Sequence, residues 1–284
     1  MTKWSLSVAL VLLVGLSTSC GGAATRLHVP GEASEINNVY DSVVALVRVS
    51  NNQIQGPYCT AAFIGPRLLA TAAHCVPAQQ TITVAPGVTI ILPGTQEQSP
   101  VGQLVQLVTH EQYYSWVRSS GENHNIPEYT TATVVVVDDV NDHDVALLEL
   151  VAGSPDAAHW LEMRNLEHEP LLAGEEAYSI GMPVGQIWIL TDGIISRVHI
   201  RLNATIDILH QVRIGPGSSG SPLMDQRGRM TGVNSAGWGT DRSGTVLGQA
   251  KPVSYVQTMI RVLTAQREIE MLASRFEEQN RSGA

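Results

Sequence analysis

The sequence predicts an all-β protein, built as a sandwich or as barrels, and three observations carry that prediction. Short runs of β-branched or alternating apolar residues recur from Val39 to Val253, most of them closed by Gly, Pro, Asn or Asp. No run with helical spacing separates them, which excludes the alternation of strands and helices that a parallel sheet requires. At 284 residues, with 44% hydrophobic and 15% charged, the chain is long and apolar enough to bury a substantial core.

Taken in order, residues 1–20 read as an export signal: Lys3 gives a short positive start, and the apolar run from Leu6 to Leu16 is too short to span a bilayer. The run ends Leu-Ser-Thr-Ser-Cys, with small residues before Cys20, and resembles the lipobox of bacterial lipoproteins, in which that Cys is lipidated. Ser17 stands where Leu is usual, and cleavage further on, for instance after Ala24, is the alternative. The expected location is therefore the bacterial cell envelope, lipid-anchored, or the exterior. Residues 21–38 lack periodicity and carry Pro30 and Gly31, so they read as a tether.

Strands are predicted at 43–49, 59–64, 68–71, 81–84, 88–92, 101–109, 130–137, 145–150, 177–180, 187–200, 205–212, 222–224, 230–234 and 246–253. Residues 113–128 show no clean period and read as a long loop, a segment expected to face substrate. From residue 254 the pattern changes. Val256, Met259, Ile260, Leu263, Ile269, Leu272 and Phe276 fall largely on one helical face, giving a C-terminal helix whose first part packs on the body and whose later part reads as solvated.

The net charge of -9, with 17 Lys and Arg scattered along the chain, argues against nucleic acid as a partner. Three Cys leave one unpaired. A bridge between Cys59 and Cys75 would leave Cys20 for lipidation, whereas a zinc site from Cys59, His74 and Cys75 has the wrong ligand spacing and no second pair, so no metal or other cofactor is expected.

Gly215-Pro216-Gly217-Ser218-Ser219-Gly220-Ser221-Pro222 is the stretch with chemistry in it. Small residues at five consecutive positions let the backbone turn sharply and expose Ser219, with its own N–H and that of Gly217 aimed at one point, as an acyl-transfer nucleophile needs. The same composition also suits a plain turn between strands. A serine hydroxyl needs a base to take its proton, and Thr71-Ala72-Ala73-His74-Cys75 supplies a His directly after an apolar strand. Asp144 opens the apolar run Val145-Ala146-Leu147-Leu148, a position that suits a fixed, partly desolvated carboxylate. The Gly-x-Ser-x-Gly elbow of α/β-hydrolases is not met, because Ser221 stands two residues after Ser219.

Thr-Ala-Ala-His-Cys, Asp-Val-Ala-Leu-Leu and Gly-Ser-Ser-Gly-Ser-Pro, in that order, resemble the three signatures of the chymotrypsin-like serine proteases, over about residues 39–259. The stretches 174–183 and 191–196 are closer to the bacterial trypsin-like, Htr and glutamyl-endopeptidase branch, without a PDZ-like module. The resemblance implies two six-stranded antiparallel β-barrels with a C-terminal helix, a protease domain over 39–258 with its barrels split near 151–175, and a helix and tail over 259–284. It implies that His74 is the general base, that Asp144 orients it, that Ser219 attacks a peptide carbonyl, and that the N–H groups of Gly217 and Ser219 form the oxyanion hole. Ser235, Ala236 and Gly237 would pair with a protein or peptide substrate, and the Ser235 hydroxyl would lie near Asp144. His110 is implied to be non-catalytic.

Two departures and one position stand out. Ser218 replaces the Asp that digestive members pair with a freshly cut N-terminus, so no propeptide cleavage is expected, and Ser221 replaces a Gly. Counting back from Ser219 without a gap puts Arg213 at the floor of the primary pocket, which would suit an acidic side chain; a one-residue gap would replace it with Val212 or Ile214. The competing reading of the whole chain is a catalytically silent binding module with the same fold.

Overall fold

The computed structural model describes residues 38–50, 53–76, 80–85, 88–92, 101–120, 129–139, 142–201, 204–238 and 247–282. The expected signal, Cys20 and the tether up to residue 37 lie outside the described residues.

Twelve of the strands close into two antiparallel barrels of six. The first takes β1 (Val43–Ser50), β2 (Gln53–Phe63), β3 (Leu68–Thr71), β6 (Leu104–Thr109), β7 (Thr130–Val137) and β8 (Ala146–Leu150), in the order β1-β2-β3-β8-β7-β6. Between β3 and β6 a separate hairpin pairs β4 (Gln80–Ala85) with β5 (Val88–Leu92). The second barrel takes β9 (Glu176–Gly181), β10 (Ile189–Ile200), β11 (Ile206–His210), β12 (Pro222–Met224), β13 (Met230–Trp238) and β14 (Leu247–Pro252), in the order β10-β11-β14-β13-β12-β9. The predicted all-β class and the two barrels are borne out.

Burial explains why the runs form these strands. Residues 43–47 of β1 are all buried: β2 and β6 pair with the two edges of the strand, and its side chains belong to one apolar cluster with residues of the second half. A continuous apolar core runs from Val43, Leu46, Leu69, Leu107 and Leu148 into Met182, Trp188 and Met224 of the second half. Trp188 ties the halves together, donating its indole N–H to the Val43 carbonyl at 2.9 Å.

Among the described residues two longer helices decorate the barrels. The segment 113–128, expected to be a loop, is helical through residue 120: α1 spans His110–Ser120. Its start is fixed by a reciprocal cap, in which the Gln112 N–H donates to Thr109 Oγ1 at 3.1 Å and the Thr109 N–H donates to Gln112 Oε1 at 2.9 Å. Tyr113 and His110 then stack near Trp188, at 5.4 and 5.3 Å between ring centroids. Packing of this aromatic side supplies what the sequence lacked in periodicity. Residues 121–128 lie outside the described residues. The second helix, α2, spans Val253–Ser282 and packs Val253, Val256, Met259 and Leu263 onto the body.

Candidate active site

The Ser219 turn sits in the second barrel but is braced from the first. Thr60 on β2 donates its N–H to the Ser219 carbonyl at 2.8 Å and its hydroxyl to the Gly217 carbonyl, also at 2.8 Å. Thr71 at the end of β3 donates its hydroxyl to the Thr60 carbonyl at 2.7 Å. Gly220 fits into this joint only because it has no side chain: at φ +83°, a Cβ there would meet the Thr60 carbonyl oxygen at 2.1 Å. Gly217 is under the same constraint, with φ +97° and the Met182 carbonyl oxygen 2.2 Å from where a Cβ would stand. Ser218 is buried and closes the turn on itself, its N–H donating to the Gly215 carbonyl at 2.8 Å while its Oγ accepts from the Gly215 N–H at 3.2 Å. Among the described residues neither the Gly217 N–H nor the Ser219 N–H has an acceptor.

His74 lies in a single 3-10 turn, Ala73–Cys75, directly after β3, and its side chain is partly open to solvent. Its Nδ1 is 2.9 Å from Asp144 Oδ2 and 3.1 Å from Oδ1, and its backbone N–H donates to Asp144 Oδ1 at 3.0 Å. An ionised carboxylate can only accept, so this contact favours the tautomer with the ring proton on Nδ1, the one that leaves the Nε2 lone pair available. Asp144 itself is buried, in the left-handed region at φ 44°, where its N–H donates to the Asp139 carbonyl at 2.9 Å. The strained backbone turns the carboxylate back toward His74 instead of along β8.

Ser235 joins the two sides of the cleft. The register between β13 and β14 slips between Asn234 and Ala236, a bulge that frees Ser235 from regular pairing. Its hydroxyl donates to Asp144 Oδ2, and its carbonyl accepts from the Ser219 hydroxyl at 3.3 Å. Among the described contacts the Ser219 hydroxyl therefore rests on Ser235 and is not bonded to His74. A rotation of the hydroxyl is needed to engage the imidazole, as is common before substrate binds. Cys59 and Cys75 form a disulfide, and Cys75 Sγ lies 3.6 Å from the Ser219 carbonyl oxygen, which brings the His74 turn against the serine turn. Cys59, His74 and Cys75 do converge, but the disulfide removes the thiolates that a metal ion would need.

A cavity of about 320 Å³ opens beside Ser219, lined by Ile214, Gly215, Pro216, Asn234, Ser235, Ala236 and Gly237. Of the four residues assigned to substrate binding from sequence, Ser235, Ala236 and Gly237 form this wall. Arg213 does not: it is exposed, its carbonyl accepts from Thr191 Oγ1 at 3.0 Å, and the wall begins one residue later at Ile214. The acidic preference drawn from a gapless count therefore has no basic group in the lining to carry it. Thr60, which braces both candidate oxyanion donors' peptides, went unnoticed in the sequence; its position directly after Cys59 was the signal available. His110, expected to be non-catalytic, pairs with Asp41 at 2.7 Å at the start of α1.

A profile of the trypsin-like peptidase domain family matches residues 59–233. The chain is similar to Protease Do-like 1, chloroplastic, of Arabidopsis thaliana, with 28% identity over 141 residues that make up 46% of this chain and 31% of that protein, so it spans about a third of the length of that curated relative. Its fold is similar to that of the serine endoprotease from Yersinia pestis, with a TM-score of 0.53 and 16% identity, covering 83% of this chain and 67% of that one. At that identity the likeness concerns the fold alone.

Proposed function

The chain belongs to the trypsin-like peptidase family, and from that premise we propose that it is a serine endopeptidase that hydrolyses peptide bonds through an acyl-enzyme. The single observation supporting the residue roles is the His74 ring, held on Asp144 with Nε2 free, in a cleft where Ser235 bonds both Asp144 and Ser219. In this reading Ser219 Oγ turns from the Ser235 carbonyl, gives its proton to His74 Nε2 and bonds the scissile carbonyl carbon. The negative charge formed on the carbonyl oxygen is received by the N–H groups of Gly217 and Ser219. Asp144 stays ionised and stabilises the imidazolium, which then protonates the leaving amine. Water, deprotonated by the same base, cleaves the acyl-enzyme and returns the proton to Ser219.

The cavity beside Ser219 receives the side chain preceding the scissile bond. Its Ile214, Ala236 and Gly237 lining supports a small apolar side chain over an acidic one. Export and lipid anchoring at Cys20 belong to the proposal on the strength of the sequence alone, and loss of metabolic fatty-acid labelling in Cys20→Ser tests them.

The experiment for the chemistry is labelling by a fluorophosphonate probe. The full-length chain should label without prior clipping, because Ser218 already closes the turn with Gly215. Ser219→Ala should abolish labelling and lower kcat by roughly six orders of magnitude while leaving the fold intact. Folded protein that shows no Ser219-dependent labelling would move the assignment to a silent binding module, and labelling only after proteolysis would remove the role given to Ser218.

A further inference from the structure

We propose that the distal half of α2 is a self-association surface that pairs antiparallel with the same helix of a second copy of this chain. The helix is 30 residues long; among the described contacts its first three turns pack on the body, through Val256, Met259 and Leu263, and Arg267 reaches Glu149 a turn further on. Residues 264–281 are all exposed. A soluble helix that leaves the body should be polar all round, and this one is not. Ile269 is 66% exposed, Leu272 60% and Phe276 65%.

Those residues have an order. Val262, Ala265, Ile269, Leu272 and Phe276 are spaced three, four, three and four apart, the repeat of a two-helix seam and not of a face packed on a globular core. At 100° per residue the seam points roughly 150° away from the stripe that holds the helix to the barrels, so the apolar residues of this segment occupy two faces and not the single face expected from sequence. Among the described residues nothing covers it, and a second helix can approach from that side.

Charge and size choose the occupant and its direction. In an antiparallel pairing with Ile269 opposite Leu272 of the second copy, Ala265 meets Phe276, a small residue facing a large one. The flanking Glu268 then meets Arg275 of the second copy, and two-fold symmetry repeats that pair. In a parallel pairing Glu268 would face Ala273 and Arg275 would face Asn280, so neither charge finds an opposite. The seam is complementary to itself in the antiparallel direction only.

Sedimentation velocity on the full-length chain from about 1 to 200 µM tests this, a range suited to a seam of two and a half heptads. The expected result is a concentration-dependent dimer. Leu272→Asp should abolish it, and because Leu272 is exposed the monomer should stay folded and keep its activity. Glu268→Arg and Arg275→Glu, each placing two like-charge pairs across the seam, should weaken association by about tenfold. Glu268→Arg with Arg275→Glu together should restore it. A chain that stays monomeric throughout, a dimer indifferent to Leu272→Asp, or a double swap that fails to rescue would each overturn the proposal. Flotation of a monomeric wild-type chain with anionic phospholipid vesicles, lost in Leu272→Asp, would likewise overturn it and assign the face to a lipid surface.

Discussion

His210 carries the least comfortable chemistry in the molecule. It is fully buried on β11, opposite Gly248 of β14, and an added Cβ at Gly248 would stand 2.0 Å from its ring. Among the described residues neither ring nitrogen has a well-formed hydrogen bond, although Asn234, whose own Oδ1 is also unpaired there, and the Val212 backbone lie close enough to favour the protonated ring slightly. Burial pushes its pKa from 6.5 down to about 4. In the unfolded chain the ring takes a proton near its ordinary value, and in the folded chain it resists until well below it. Stability linked to His210 is therefore fully present above pH 6.5 and falls as pH drops toward 4, by up to about 3 kcal/mol. Urea unfolding at pH 7.5 and pH 4.5 should show a larger acid loss for the wild-type chain than for His210→Asn, and equal losses in the two would refute the assignment. Nothing in the local sequence marks this histidine as buried and unpaired, since its state follows from the glycine that β14 brings against it.

At the scale of elements, the strands were legible because barrels of this kind bury one or both faces of short apolar runs, and Val43–Ser50, rich in Val, and Ala146–Leu150, rich in Leu, are such runs. The helix α1 was not, because its apolar residues are aromatic rings that pack sideways on one another and on Trp188, leaving no period of three and four. The signal present was the pair Thr109 and Gln112, three apart, which the structure closes into a reciprocal cap. Thr109→Ala and Gln112→Ala should each lower stability by about 1 kcal/mol in urea unfolding. Because each mutation breaks the same box, the double mutant should lose less than the sum. Full additivity would mean that the two bonds act independently. The candidate site was read from three motifs, each a run of adjacent residues; the Ser235 bulge, the Thr60 brace and the absence of Arg213 from the cavity wall depend on register between distant strands, which local pattern does not encode.

At the scale of the whole molecule, the two barrels must hold Asp144, from the first, against Ser235 and Ser219, from the second, and one buried cation connects them. Lys251 on β14 is 2% exposed. Its Nζ donates to Asp207 Oδ1 at 2.9 Å within the second barrel and to the Asp142 carbonyl at 2.7 Å in the loop of the first barrel that leads into Asp144. Asp207 is raised by burial, but hydrogen bonds from Lys251, Gln249 and Arg201 outweigh this and hold its carboxyl below the usual range. Tyr255 of α2 adds a second grip on the same loop, its ring 4.2 Å from that of His143. Lys251→Met should therefore do two separable things. It leaves a buried carboxylate short of a cation, costing about 3–5 kcal/mol. It also frees the Asp142 carbonyl, so that Asp144 and with it His74 lose their fixed position, lowering kcat by about tenfold or more with little change in KM. Adding Asp207→Leu removes the stranded charge and should return most of the stability without restoring the bond to Asp142. The double mutant should then be stable and still slow. If its kcat returned to the wild-type value along with its stability, Lys251 would be serving only the second barrel, and the coupling between barrels would have to run through the remaining links, the Ser235 bonds and the Thr60 brace among them.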